Sequence, residues 1–245
     1  MLANSLFFLA SAALALANPV RYRPGSSCTA SQPEPVLPQT GAEELQSPPQ
    51  GATLKHIALG FGIQNYTCKE DGAAATAAGA LAMLYDVTHL YPGQSRGSLS
   101  QEKWASLTAT ALSGHKIPLN LNPYGSGASS GNPFTPDAPL ELDGYKKIPF
   151  AGHHYFNANG VPTFDLTKDQ QLLLAKKVAG VKAPTSASAG PDGTGAVDWL
   201  YLGDAGGSYG VTSVYRVFTA GGNAHACKSA GSDSTSYTAM YWFYG

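Results

Sequence analysis

Alternation of large apolar and small residues over positions 56–68 constrains this chain more than any other feature. Ile57, Leu59, Phe61 and Ile63 share one face, and Gly60, Gly62, Gln64 and Tyr66 share the other. A period of two is the repeat of an extended strand. The glycines weaken that strand and point to a bulge or a close backbone neighbour. Strand patterns return at 197–202, 211–219 and 237–244, separated by Gly-rich turns at 203–210 and 220–236. The last of them is aromatic on both faces, which marks a strand buried on both. Residues 148–156 and 161–166 flank an Asn157-Ala158-Asn159-Gly160 turn. Residues 170–181 fit a helix or a strand, and 73–87 read as a turn followed by a strand over 80–85. Ser100 precedes Trp104, Leu107, Ala111 and Leu112 at helical spacing, so a short capped helix is expected over 100–112. The pattern predicts one all-β domain over 54–245, sandwich- or barrel-like, with long loops at 118–139 and 184–195 and at most one or two short helices.

Residues 6–17 are apolar and uncharged and end in Ala15-Leu16-Ala17. This is the pattern of a secretory signal peptide cleaved after Ala17. The run falls short of the roughly 20 residues that span a bilayer. Residues 18–53, rich in Pro, Ser, Gln and Glu, read as an extended N-terminal arm over the domain surface. A secreted, extracellular or cell-wall-associated protein with no membrane contact after cleavage is expected. Formal net charge is −1, and Lys and Arg are scattered, so nothing builds a field for nucleic acid. The three cysteines are Cys28, Cys68 and Cys227. An oxidising compartment favours a disulfide. Cys68 ends one strand-like run and Cys227 follows another, so these two are expected to pair and leave Cys28 over. The alternative is a pair of buried free thiols.

Gly60-Phe61-Gly62 lacks the third glycine of a dinucleotide fingerprint, with Asn65 in its place, and lies inside a strand pattern. No phosphate loop and no nucleophile elbow occurs. No cofactor is expected. The most chemical-looking stretch is Gly152-His153-His154-Tyr155-Phe156. On a strand the two histidines face opposite sides, so both cannot ligate one metal, and no metal site is assigned. Strand parity places Phe150 and Phe156 with His154, and Ala151 and Tyr155 with His153. The His154 side carries the larger apolar residues and is expected to face inward. His153, Tyr155 and Asp165 are then the ligand-binding candidates on the outer face, where a histidine titrates near neutrality. Asn65-Tyr66-Thr67 is an N-glycosylation sequon. Asp143, Asp165, Asp198 and Asp204 could do acid–base work, but no two have telling spacing.

Several segments carry a resemblance. They are LKHIALGFGIQNYTC at 54–68, GALAMLYD at 79–86, GHHYF at 152–156 with PTFDL at 162–166, VDWLYL at 197–202, VYRVFTAGGNAHAC at 214–227 and YTAMYWFYG at 237–245. In this order they resemble a family of secreted proteins of filamentous fungi and bacteria, known as a domain of unknown function, over nearly all of the chain from about Leu54. Fungal members are often labelled malate dehydrogenase, and the missing nucleotide fingerprint argues against that label here. The resemblance implies that Cys68 and Cys227 are the recurrent cysteines and His153 the recurrent histidine. A further cysteine that follows LYD in such proteins is replaced here by Thr88 and His89. Two functions are expected to compete. One is a non-enzymatic β scaffold that binds a ligand, carbohydrate among the candidates. The other is a secreted hydrolase or metal-dependent enzyme centred on His153.

Overall fold

The computed structural model describes residues 33–245. The expected signal peptide and Cys28 lie outside the described residues. Eight strands run in chain order as an antiparallel meander: β1 (Leu54–Cys68), β2 (Thr76–Asp86), β3 (Phe150–Phe156), β4 (Pro162–Leu166), β5 (Gln171–Val181), β6 (Trp199–Asp204), β7 (Ser213–Gly221) and β8 (Gly231–Tyr244). Each pairs with the next, and β8 closes on β1, giving a closed barrel. Of the two architectures left open by the sequence, the barrel is realised. Closure removes the exposed edges that an open sheet would have to protect.

The wall separates two apolar layers. Inside lie Ala58, Ala82, Leu84, Phe164, Leu166, Leu173, Val214, Tyr237, Tyr241 and Phe243. Outside, Ile57, Leu59, Phe61, Ile63, Met83, Trp242 and Tyr244 are also buried, because the rest of the chain covers them. The main cover is α1 (Gln101–Gly114), whose Ser100 cap accepts a hydrogen bond from the Lys103 amide at 3.2 Å. Its buried face, Trp104, Leu107, Thr108, Ala111 and Leu112, lies over β7, β8 and β1. Trp104, Trp242 and Tyr91 meet edge to face at 5.3–6.5 Å. The described part of the arm runs over this outer layer. The Val36 amide donates to the Tyr91 hydroxyl at 3.1 Å, and Leu37 and Leu45 pack beneath. Burial on both faces of β8 is therefore as expected, but it comes from a barrel lumen on one side and a helix on the other.

Gly60 faces the lumen, and a Cβ there would intrude on the Tyr241 ring. The absence of a side chain on β1 is what lets an aromatic from β8 fill the barrel centre. Gly60→Ala is expected to lower stability by about 2 kcal/mol through overpacking. Urea unfolding reads it, and a loss below about 0.5 kcal/mol would mean that the ring moves aside freely.

Three sequence expectations need correction. β2 starts at Thr76 where a turn was expected, and Gly79, at φ +125°, supplies the kink within a continuous strand. β8 begins at Gly231, inside the stretch read as turn, because its small polar residues pair with the end of β1. In β3, Leu84 pairs with Gly152 and Tyr85 with Phe150, so Ala151 is an extra, bulged residue. The bulge reverses parity upstream of it. Phe150 shares the outer side with His153, at 5.0 Å between rings, and Ala151 joins the inner layer.

Candidate functional site

Downstream of the bulge the expected faces hold. His153 and Tyr155 point outward, and His154 points into the barrel. Asp165 stands opposite His153 in the β3–β4 register, so His153, Tyr155 and Asp165 do share one surface. The long loop after α1 folds over them. Phe134 lies 4.2 Å from the His153 ring and 6.4 Å from Tyr155. Asp137 Oδ1 stands 3.1 Å from His153 Nε2, off the direction of a well-formed hydrogen bond, while its Oδ2 accepts from Lys168 at 3.0 Å. Lys168 in turn lies over the Phe150 ring.

Burial pulls the His153 pKa below its ordinary value against the opposing pull of Asp137. The balance favours the uncharged ring relative to a free histidine. Burial, with Asp165 adding to it, raises the Tyr155 pKa. The Asp165 carboxylate accepts from the Thr167 amide and so caps a turn. Among the described residues no three His, Cys, Asp or Glu side chains gather where a metal could be held.

The opposite side of the same strands carries the larger opportunity. One end of the barrel is filled by side chains such as Leu84, Leu166, Leu173, Val214 and Phe243. At the other end, where the β1–β2, β3–β4, β5–β6 and β7–β8 connections lie, the lumen opens into a cavity of about 610 Å³. Its floor is aromatic. His154 stacks on Phe164 at 4.0 Å with the planes 4° apart, and Tyr241 lies 5.7 Å from His154. His154 Nδ1 faces the Thr163 carbonyl oxygen at 2.9 Å, and a carbonyl can only accept, so Nδ1 carries the proton. Burial pushes the His154 pKa down to about 4. The ring is a neutral wall element near pH 7. The Tyr237 and Tyr241 hydroxyls are paired at 3.0 Å.

Polar groups gather toward the rim. Arg216, inward-facing and half-buried on β7, donates through Nε and Nη2 to the Asp198 carbonyl oxygen at 3.2 and 2.8 Å. The Asp198 carboxylate is engaged by Lys182 at 3.1 Å. Tyr66 donates to the Gly222 carbonyl at 2.5 Å. Gln64, 7% exposed, lines the cavity with its Nε2 making no well-formed hydrogen bond. A second hollow, of about 760 Å³, is a seam between residues 34–49 of the arm and the outer wall, and no cation lines it.

None of His153, Tyr155 and Asp165 lines the barrel cavity. The sequence offered Asp198 only as one of four carboxylates without telling spacing, and gave no site role to Gln64, Tyr66 or Arg216. One signal was available for the last: a lone arginine within VYRVF, on the same alternate face as Val214. Cys68 and Cys227 are bonded as expected, with Cα atoms 5.5 Å apart, and tie the end of β1 to the segment that precedes β8 at this rim. Asn65 is half-buried within β1, between Gly79 and Ser234.

A closed eight-stranded antiparallel barrel with one filled end and one hollow end defines a calyx-like β-barrel protein. The chain belongs to the family described as a protein of unknown function (DUF3455), whose model matches residues 48–245. No curated protein and no solved structure matches it. No helix among the described residues is long and apolar enough to cross a membrane.

Proposed function

We propose that this protein is a secreted, non-enzymatic binder that holds a small organic molecule in the open end of its barrel. The observation that carries this reading is the 610 Å³ cavity, with aromatic walls and a few convergent polar groups. That size and that mixture are those of small-molecule sites, which barrel mouths commonly supply. The leader-like segment at 6–17 and the Cys68–Cys227 bond both suit passage into an oxidising compartment. The sequon at Asn65 would be met on the same route.

Carbohydrate binding on surface aromatics draws less support, because the exposed aromatics do not form one face. Tyr209 belongs to the β6–β7 turn at the filled end, and Tyr124 to the loop after α1. An enzyme centred on His153 draws less support too, since Asp137, Phe134 and Lys168 already occupy the ring's surroundings.

Ala78 is exposed on the rim and lines the cavity, so Ala78→Trp would block the opening without disturbing the core. A fragment library screened by saturation-transfer NMR should yield binders to the wild type whose signals fall at least about fivefold in Ala78→Trp, an order expected when a bound molecule loses its enclosing walls. Binders indifferent to the tryptophan, or no binders at all, would overturn the reading.

A further inference from the structure

The electrostatics of the cavity narrow the class of molecule it can hold, if the barrel cavity is indeed the binding site. Lys177, Lys182 and Arg216 line it against one carboxylate, Asp198. That carboxylate is taken by Lys182, at the exposed rim. Among the described residues no carboxylate lies within 4 Å of the Arg216 guanidinium. Its anchors are the two hydrogen bonds to a neutral carbonyl, with the Tyr241 hydroxyl also beside it, and these neutral partners leave its charge uncompensated. An arginine half-removed from water without a counter-ion is costly for a fold to keep. It becomes favourable when an anion completes it, and a planar carboxylate fits the Nη1–Nη2 edge, which the Asp198 carbonyl does not take, in two parallel hydrogen bonds.

A second observation is independent of charge. Gln64, more than nine-tenths buried, lines the same cavity with an amide nitrogen that makes no well-formed hydrogen bond, although the Tyr237 hydroxyl stands beside it. A buried donor without a good acceptor is costly in a closed protein. An oxygen of a bound molecule would satisfy it. Beside these donors stand Leu200 and, at the rim, Phe156, and deeper in the cavity lie the His154–Phe164 stack, Leu202 and Tyr241.

We infer that the barrel cavity binds a small carboxylate with a flat apolar body, its carboxylate on Arg216 and its body against the His154–Phe164 stack and Tyr241. Gln64 meets an oxygen of the same molecule. Lys177 and Lys182 at the rim attract the anion from solution, so association weakens as salt rises.

The test compares 2-naphthoate with 2-naphthamide, which share a body and differ in charge, by calorimetric titration of the wild type, Arg216→Met, Arg216→Lys and Ala78→Trp. Naphthoate should bind the wild type at least about tenfold more tightly than naphthamide, the order expected of a charge-assisted pair. Arg216→Met should remove that preference, weakening naphthoate far more than naphthamide, while Arg216→Lys restores part of it. Ala78→Trp should abolish both. Equal binding of the two probes to the wild type, still lost in Ala78→Trp, would overturn the carboxylate inference and leave the cavity reading standing. Binding of either probe that survives Ala78→Trp would overturn the cavity reading itself. Should Arg216→Met fail to fold, the comparison of the two probes on the wild type and on Arg216→Lys still decides, since a preference unaffected by salt and by Arg216→Lys would count against the arginine.

Discussion

Replacing Cys68 and Cys227 together by serine should lower unfolding stability by about 5 kcal/mol in the chain-entropy account of cross-links. The bond joins positions 159 residues apart, so it closes a loop that takes in β2 to β7. Without it the unfolded chain regains the freedom to separate β1 from the segment entering β8. Both cysteines are also buried, and two hydroxyls would take their place in a site built for sulfur. A domain of ordinary stability holds only about 5–15 kcal/mol in total, so the variant should lie near the edge of folding at 37 °C. Denaturant titration of the oxidised wild type against the double variant measures the difference. A loss under about 1 kcal/mol would show that the strand pairings of β1 with β8 hold this rim unaided. The bond also lies where β1 ends and β8 begins, beside Tyr66 and Gly222 of the cavity rim. Weaker binding in the proposed cavity site, at temperatures where the variant is still folded, should therefore accompany the loss of stability.

What could be read from the sequence is what local chemistry determines. The alternation in β1, the Ser100 cap with its helical spacing, and the aromatic β8 each report a nearest-neighbour rule, and each is found where expected. What could not be read depends on the second apolar layer. In β1 the large residues Ile57, Leu59, Phe61 and Ile63 look like the core face of a simple sheet, yet they point away from the lumen and are buried only because α1 and the loops cover them. The glycine-rich face, which looks weak, lines the barrel interior, because Tyr241 arrives from the far end of the chain to fill it. A bulge shifts parity by one residue without a strong local signature, so Phe150 and Ala151 exchanged sides while His153 and His154 did not. The cavity follows from closure, which brings Gln64, His154, Asp198 and Arg216 together from four strand regions spread over more than 150 positions. No spacing rule links residues that meet only when β8 returns to β1.

Stability should fall by roughly 3 kcal/mol as the pH drops from 6.5 to 4, and His154 should account for it. The ring is buried in the barrel, stacked on Phe164 and held by the Thr163 carbonyl. Its folded pKa is pushed down to about 4 from an ordinary 6.5, chiefly because burial disfavours the charged form, with the Arg216 charge acting in the same sense. Between those values the unfolded chain holds a proton at this position and the folded barrel does not. Acid therefore favours unfolding across the window, and stability rises with pH until it is complete above the ordinary value. A shift of this size converts to roughly 3 kcal/mol at 1.36 kcal/mol for each pH unit. His153, also pulled down by burial, adds in the same direction. Exposed carboxylates with lowered values, Glu141 and Asp204 among them, contribute mainly at the acid end of the window. Comparison with His154→Gln separates these contributions, because the amide cannot take up the proton while the other groups remain. Urea unfolding of both proteins at half-unit steps from pH 4 to 7 should give a steep slope for the wild type and a much flatter one for the variant, whatever the variant's absolute stability. Parallel slopes would show that His154 is not the group that resists acid.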